Sequence, residues 1–402
     1  MIIGIFFLVL QTILAFLKPK YFIFTYLFFY SSFLGFLPKS IIISGYEIGF
    51  FYQSVLMLGS YFFYFKRTKK YPTHIKLLLI SIILFFFYGV FYPALNGLSS
   101  FNQSIIASKE FSSLFLINYL FVNRKKISYD YLIKILSFFG YYFLIVLFLF
   151  VVFHYIPPQY IKESGRIQYY SPVLLSLFLF IKMVESNSMS KKIFALILLT
   201  VWTIGMLREG HDAIAITTSL GCLIVLFRLP IIIFLKNYKR ILLVLSSICF
   251  LLILLPTKKY ITEFNQINAI KSRSNVNKGR MAYISDRPLL GYGFLYKDDF
   301  ALAENNQSTL SEIDSGYIDL FGKFGFIGTI IFLIILIPPF FSNQRSHIMI
   351  TSLKIFFLQF FAVNLTWAVF TFSMGTIPLS LAIYLIYLHN NNIKYQSIKF
   401  RL

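Results

Sequence analysis

The sequence predicts an all-α polytopic integral membrane protein with about twelve to thirteen transmembrane helices and one large extracytoplasmic loop. Three observations lead there. The 402 residues are 58% hydrophobic and only 13% charged, against roughly 25% charged in soluble domains, and mean hydropathy is +0.75. Apolar runs of 16 to 25 residues recur along most of the chain, long enough to cross a hydrocarbon core of roughly 30 Å. Lys and Arg fall in short clusters between those runs, the pattern of the positive-inside rule. The alternating segments of about 10 residues that mark an outer-membrane barrel are not seen in the sequence.

In chain order, spans are expected near 1–17, 21–37, 47–65, 75–95, 104–122, 134–156, 169–184, 193–207, 211–235, 241–256, 324–340, 348–370 and 374–389. The run from Met1 to Leu17 lacks a basic leader and a small-residue cleavage site, so it reads as a retained helix. The first two runs are split only by Lys18-Pro19-Lys20. If they, or the last two, form one broken element, the count falls to twelve. Proline does not exclude a membrane helix, because neighbours re-satisfy the backbone groups it frees. No internal repeat is visible.

Orientation follows from charge. Lys18/Lys20, Lys66-Arg67/Lys69-Lys70, Arg124-Lys125-Lys126, Lys191-Lys192, Lys236/Lys239-Arg240, Arg345 and Lys394/Lys399/Arg401 fall on alternate loops. These are expected to face the cytoplasm, which places the C-terminus there and the long loop outside. The chain divides into N-terminal helices (1–192), a middle region with the large loop 257–323 (193–340), and C-terminal helices with a tail (341–402).

A formal charge of +22 invites a nucleic-acid reading. The scatter of basic residues over many short loops argues against one, because phosphate-backbone binding needs a continuous basic face. Cys222 and Cys249 lie inside apolar runs without metal or redox spacing.

Polar chemistry is concentrated between Pro256 and Gly328. Eight of the fifteen acidic residues fall there: Glu263, Asp286, Asp298, Asp299, Glu304, Glu312, Asp314 and Asp319. Within it, ten residues separate Arg280 from Gly291-Tyr292-Gly293, with Arg287 among them. Glycine lets the backbone turn sharply or approach a ligand closely, and the planar fork of arginine suits phosphate oxygens. The same stretch is equally a basic surface strip. Asp314-Ser315-Gly316-Tyr317 precedes Gly325 and Gly328 at the start of an apolar run. There Asp314 reads as a site carboxylate or as a helix N-cap. Two shorter outer loops add Arg166 and the cluster Arg208-Glu209-Gly210-His211-Asp212. That cluster is either a locally paired turn or an arginine aimed at an anionic substrate. His211 beside Asp212 is poor metal-ligand spacing, so no metal is expected.

Taken together, the order of these pieces resembles the O-antigen ligase and polymerase superfamily of bacterial membrane proteins. The pieces are an arginine ending a span, R-x10-G with PLLGYGF, a polar doublet with tyrosine, and G-x-x-G opening a span. Within the superfamily the chain looks most like the Wzy-type repeat-unit polymerases of O-antigen or capsule, over about residues 193–340. Ligases place His-Asn or His-Ser where this chain has Asp314-Ser315, a departure that favours polymerase. The resemblance implies Arg280, Asp314 and Arg208 as catalytic residues. It implies Arg166, His211, Arg287, Gly291, Gly293 and Tyr317 as substrate-binding residues.

It further implies a glycosyltransferase that needs no cofactor. Its substrates would be oligosaccharides on undecaprenyl diphosphate, with membrane lipid, a chain-length regulator and a flippase as partners. The location implied is the bacterial inner membrane. A ligase acting on lipid A core and a lipid-linked oligosaccharide flippase remain the alternatives.

Overall fold

The computed structural model describes residues 2–30, 42–43, 46–47, 49–66, 71–153, 172–208, 211–228, 284–295, 315–341, 348–365, 369–370 and 372–399. These residues are almost entirely helical, apart from a two-residue antiparallel pairing of Ile42–Ile43 with Tyr46–Glu47. The helices are α1 (Ile2–Leu17), α2 (Pro19–Tyr30), α3 (Gly49–Phe63), α4 (Thr73–Leu95), α5 (Phe101–Ala107), α6 (Phe115–Val122) and α7 (Tyr129–Phe153). They continue as α8 (Pro172–Glu185), α9 (Met189–Arg208), α10 (Asp212–Leu226), α11 (Gly316–Phe341), α12 (Ile348–Val363) and α13 (Ser373–Lys399). The expected run at 241–256 lies outside the described residues.

Among the described residues, four helices are long and apolar enough to cross a membrane: α4, α7, α9 and α11. The bent pair formed by residues 101–107 and 111–122 makes a fifth if it counts as one span. The other apolar helices, α1, α2, α3, α10 and α12, are 12 to 16 residues long within the described residues and rise about 18–24 Å at 1.5 Å per residue. The apolar helices as a set fit a membrane protein.

Two expected spans have a different shape. The run at 104–122 is broken, its halves bent by 58°. A capping box starts the first half, Ser100 Oγ accepting from the Gln103 N–H at 3.3 Å while Gln103 Oε1 accepts from the Ser100 N–H at 3.1 Å. The break follows from serines that bond back to the preceding turn, which bends helices. Ser108 Oγ donates to the Ile105 carbonyl at 2.7 Å, Ser112 Oγ to Lys109 at 2.6 Å and Ser113 Oγ to Glu110 at 2.6 Å. The run expected at 324–340 begins earlier, at Gly316, so residues 316–323 of the expected loop 257–323 are helix. What lies near 324 is a kink, where Gly325 takes φ +63° inside α11.

Cross-element bonds group the loop ends. On one end, Tyr131 donates to the Lys20 carbonyl, Arg124 Nη1 lies 2.8 Å from the Tyr387 hydroxyl, and Arg228 Nη2 donates to Asn187 Oδ1 at 3.1 Å. Each contact ties together segments from the basic clusters. Apart from the bent pair α5–α6, consecutive helices alternate in direction, so the other end collects the tops of α4, α9 and α12 with the starts of α10, α11 and α13.

The core between them is aromatic. Phe294, Phe111, Phe324 and Phe332 are buried and pack in mixed edge-on, tilted and stacked contacts, with Phe111 to Phe294 centroids 5.2 Å apart and Phe294 to Phe324 5.8 Å. Phe294 belongs to the polar loop of the sequence, so that loop reaches the centre of the bundle.

Candidate functional site

Segment 288–294 is clamped between α4 and α11 by main-chain hydrogen bonds. The Tyr292 N–H donates to the Gly322 carbonyl at 2.8 Å and the Gly293 N–H to the Lys323 carbonyl at 2.8 Å. In return, the Phe326 N–H donates to Pro288 at 2.7 Å and the Ile327 N–H to Leu289 at 3.3 Å. On the other side, the Phe294 N–H donates to the Gly89 carbonyl at 2.6 Å, and Tyr88 Oη donates to the Leu290 carbonyl at 2.6 Å.

The glycines make this approach possible. Gly291 and Gly293 have φ +70° and +74°, a region that side-chain-bearing residues avoid. A Cβ on Gly291 would lie 2.5 Å from the Gly325 nitrogen, and one on Gly293 would lie 2.5 Å from Pro93 Cδ. What they approach closely in this structure is the backbone and proline of neighbouring helices.

Arg287 sits at the mouth of this clamp. Its Nη1 lies 3.4 Å from the Tyr92 hydroxyl, and its guanidinium carbon lies 5.6 Å from the Tyr292 ring centroid. It is half-buried and has no carboxylate partner among the described residues. Tyr88 and Tyr92 stack beside it with centroids 5.0 Å apart. Burial pushes the Tyr292 hydroxyl above its ordinary range; Asp286 adds to that and Arg287 opposes it. Tyr292 therefore stays a neutral donor at physiological pH.

One turn into α11, buried Asp319 pairs with Lys323 at 2.7 Å. The start of α11 is locked to the end of α12. The Ser315 carbonyl accepts from the Asp319 N–H at 3.0 Å, the first bond of the helix, so Ser315 holds the N-cap position. The Gly316 N–H donates to the Asn364 carbonyl at 2.8 Å. Asn364 Oδ1 in turn accepts from the N–H groups of Val369 at 3.1 Å and Phe370 at 2.9 Å. Tyr317 Oη donates to the Phe361 carbonyl at 3.0 Å, and its ring meets Phe370 edge-on at 5.3 Å. The Tyr317 hydroxyl is thus engaged in fastening two helices.

His211 precedes α10, its N–H donating to the Met206 carbonyl at 2.9 Å, with Asp212 in the first turn. An acidic residue there is favourable beside the positive helix end. Thr218, two turns further, meets Ser176 at 2.9 Å, and Ser176 Oγ donates to Gln359 Oε1 at 3.4 Å. Gln359 lies just before Asn364, so His211, Tyr317 and Arg287 share one end of the bundle. Arg208 is the last residue of α9. Arg166, Arg280 and Asp314 lie outside the described residues.

Several residues of this end carry no obvious signal in the sequence. Pro93 and Gly89 look like ordinary span residues, Asn364 like an isolated amide, and Asp319 and Lys323 like solvated loop charge. The i, i+4 spacing of the last two was the one available cue. Compared with protein-family models the chain matches none, and no curated protein matches it.

Proposed function

We propose that the chain is a polymerase that joins lipid-linked oligosaccharide repeat units into O-antigen or capsular polysaccharide at the outer face of a bacterial inner membrane. The observation that carries this reading is Arg287. It is a half-buried cation with no carboxylate partner among the described residues, held between two tyrosines at the end of candidate span α4. Such a group suits an anion that arrives at the rim of a membrane, as the diphosphate of a lipid-linked sugar does. The positive-inside distribution supports a cytoplasmic position for the opposite, basic end.

In this reading the acceptor's sugar hydroxyl attacks the anomeric carbon of the donor. The new C–O bond forms as the bond to the lipid diphosphate breaks, and the diphosphate leaves with the electron pair. Arg280 and Arg208, with Arg287, neutralise charge developing on that leaving group. Asp314 orients the attacking hydroxyl and takes up its proton. Arg166 and His211 are assigned to binding the saccharide.

A transporter of the same lipid-linked unit is the second reading, favoured by the 58° bend between residues 101–107 and 111–122 and by the general use of broken helices in transporters. One experiment separates the two. Surface glycan from a gene-deletion strain is run on a gel beside an assay of lipid-linked precursors. A cap of a single repeat unit supports the polymerase. Complete loss of surface attachment supports a ligase, and precursors trapped at the cytoplasmic leaflet support a transporter. With purified enzyme, Asp314→Ala should be inactive, Asp314→Asn nearly so, and Asp314→Glu partly active; near-normal turnover by Asp314→Asn would remove its catalytic role.

A further inference from the structure

Two helices leave backbone groups without helical partners, each for a definite reason. Pro93 has no N–H, so the Gly89 carbonyl, four residues earlier in α4, receives no bond from its own helix. In α11, left-handed Gly325 interrupts the ladder between the carbonyls of Gly322 and Lys323 and the N–H groups of Phe326 and Ile327. All five groups are taken up by segment 288–294. The match is complementary: three carbonyls receive the N–H groups of Tyr292, Gly293 and Phe294, and two N–H groups meet the carbonyls of Pro288 and Leu289. Phe294, fully buried among aromatic rings, anchors the far end. Backbone groups next to such a core have no water to turn to, so they need these partners.

We infer that Pro93 and Gly325 are positioning residues: they open α4 and α11 so that segment 288–294 binds between them and holds Arg287 against Tyr92, ready to receive the diphosphate of a lipid-linked substrate. The ligand half of this inference rests on the function proposed above; the clamp itself does not. Substitution at either residue acts on the clamp from a different side. Pro93→Ala supplies the N–H that the Gly89 carbonyl lacks and competes with Phe294 without adding bulk. Gly325→Ala places a Cβ against the Leu289 carbonyl in a backbone conformation that alanine avoids.

The test uses the full chain in lipid nanodiscs, with amide hydrogen exchange read by mass spectrometry and farnesyl diphosphate as the binding probe. In the native chain the amides of 292–294 and 326–327 are expected to be protected. Pro93→Ala should speed exchange of 292–294 about tenfold, the loss expected for one hydrogen bond, and leave α7 unchanged as a control for folding. Gly325→Ala should do so more strongly. Both should weaken farnesyl diphosphate binding about as much as Arg287→Ala, which should leave exchange untouched. Native exchange rates in both variants would overturn the clamp. Faster exchange with native probe affinity, while Arg287→Ala weakens it, would overturn the positioning role. Native affinity in Arg287→Ala would overturn the ligand half together with the proposed function, leaving the exchange rates to decide the clamp.

Discussion

Each end of the bundle carries an arginine set against tyrosines, and the two assemblies are built differently. At the basic end, the Arg124 guanidinium lies 4.4 Å from the Tyr71 ring centroid and 2.8 Å from the Tyr387 hydroxyl. Tyr71 in turn donates to the Phe121 carbonyl, and Tyr384 Oη donates to the Ile127 carbonyl at 3.2 Å. At the other end Arg287 touches its tyrosines loosely, at 3.4 Å and 5.6 Å. Burial raises the hydroxyls of both Tyr71 and Tyr292, with the neighbouring arginine opposing, so both rings are neutral donors at physiological pH. The difference is in what is held. Arg124 is fixed by its own side-chain contacts and joins the start of α4, the end of α6 and α13. Arg287 is fixed through its backbone, and among the described residues only the Tyr92 hydroxyl accepts from its guanidinium. The first arrangement is structural, and the second is what a ligand site requires.

The sharpest way to break this contrast is kinetic. On the function proposed above, Arg287→Ala should lower the chain-elongation rate by about 10²–10³, the usual cost of losing a preorganised charge donor, with thermal stability unchanged. Full-length glycan ladders from that variant at native expression would dissolve the contrast. Next in size is Asn364→Ala, which leaves the Val369 and Phe370 N–H groups without their acceptor. A loss of about 2–4 kcal/mol is expected from two buried donors, read from unfolding in detergent. This variant distinguishes damage to the scaffold at the same end from damage to the site.

Arg124→Ala should behave inversely to Arg287→Ala. The folded protein should keep its turnover while losing about 1.5–3 kcal/mol of stability, the hydrogen bond to Tyr387 together with the cation–π contact to Tyr71. The smallest effects come from single hydroxyls. Tyr387→Phe removes a 2.8 Å bond and should cost about 1 kcal/mol. Tyr92→Phe removes a 3.4 Å contact and should change stability by less than about 0.5 kcal/mol. Equal losses in the two would show that both arginines are held alike.

Much of the helix layout is legible in the sequence, and much of the site is not. The apolar runs locate α4, α7 and α9, and the run at 324–340 locates the second part of α11. The bend at 108–110 was hidden, because Ser108, Ser112 and Ser113 are ordinary in a membrane run until their hydroxyls turn back onto the helix. Gly325 was visible as a small residue at the start of a span, but its positive φ was not. Tyr317 stood out by spacing to a polar doublet, whereas its hydroxyl fastens α11 to α12. Arg287 was among the substrate-binding residues the resemblance implied, but its place beside Tyr92 was not legible in the sequence.

What the sequence determined by itself is whatever depends on local composition: which stretches are apolar, which become helical, and which loop ends carry the basic charge. These follow from side-chain transfer energies and the 3.6-residue period, and they need no knowledge of distant partners. The tertiary structure alone decided where the backbone groups freed by Pro93 and Gly325 find their partners, and hence where Arg287 stands. Tyr88 and Leu290, bonded at 2.6 Å, are 202 positions apart. Every residue carries the same N–H and C=O, proline's missing N–H excepted, so residue identity says where a bond is lost but not which distant group replaces it.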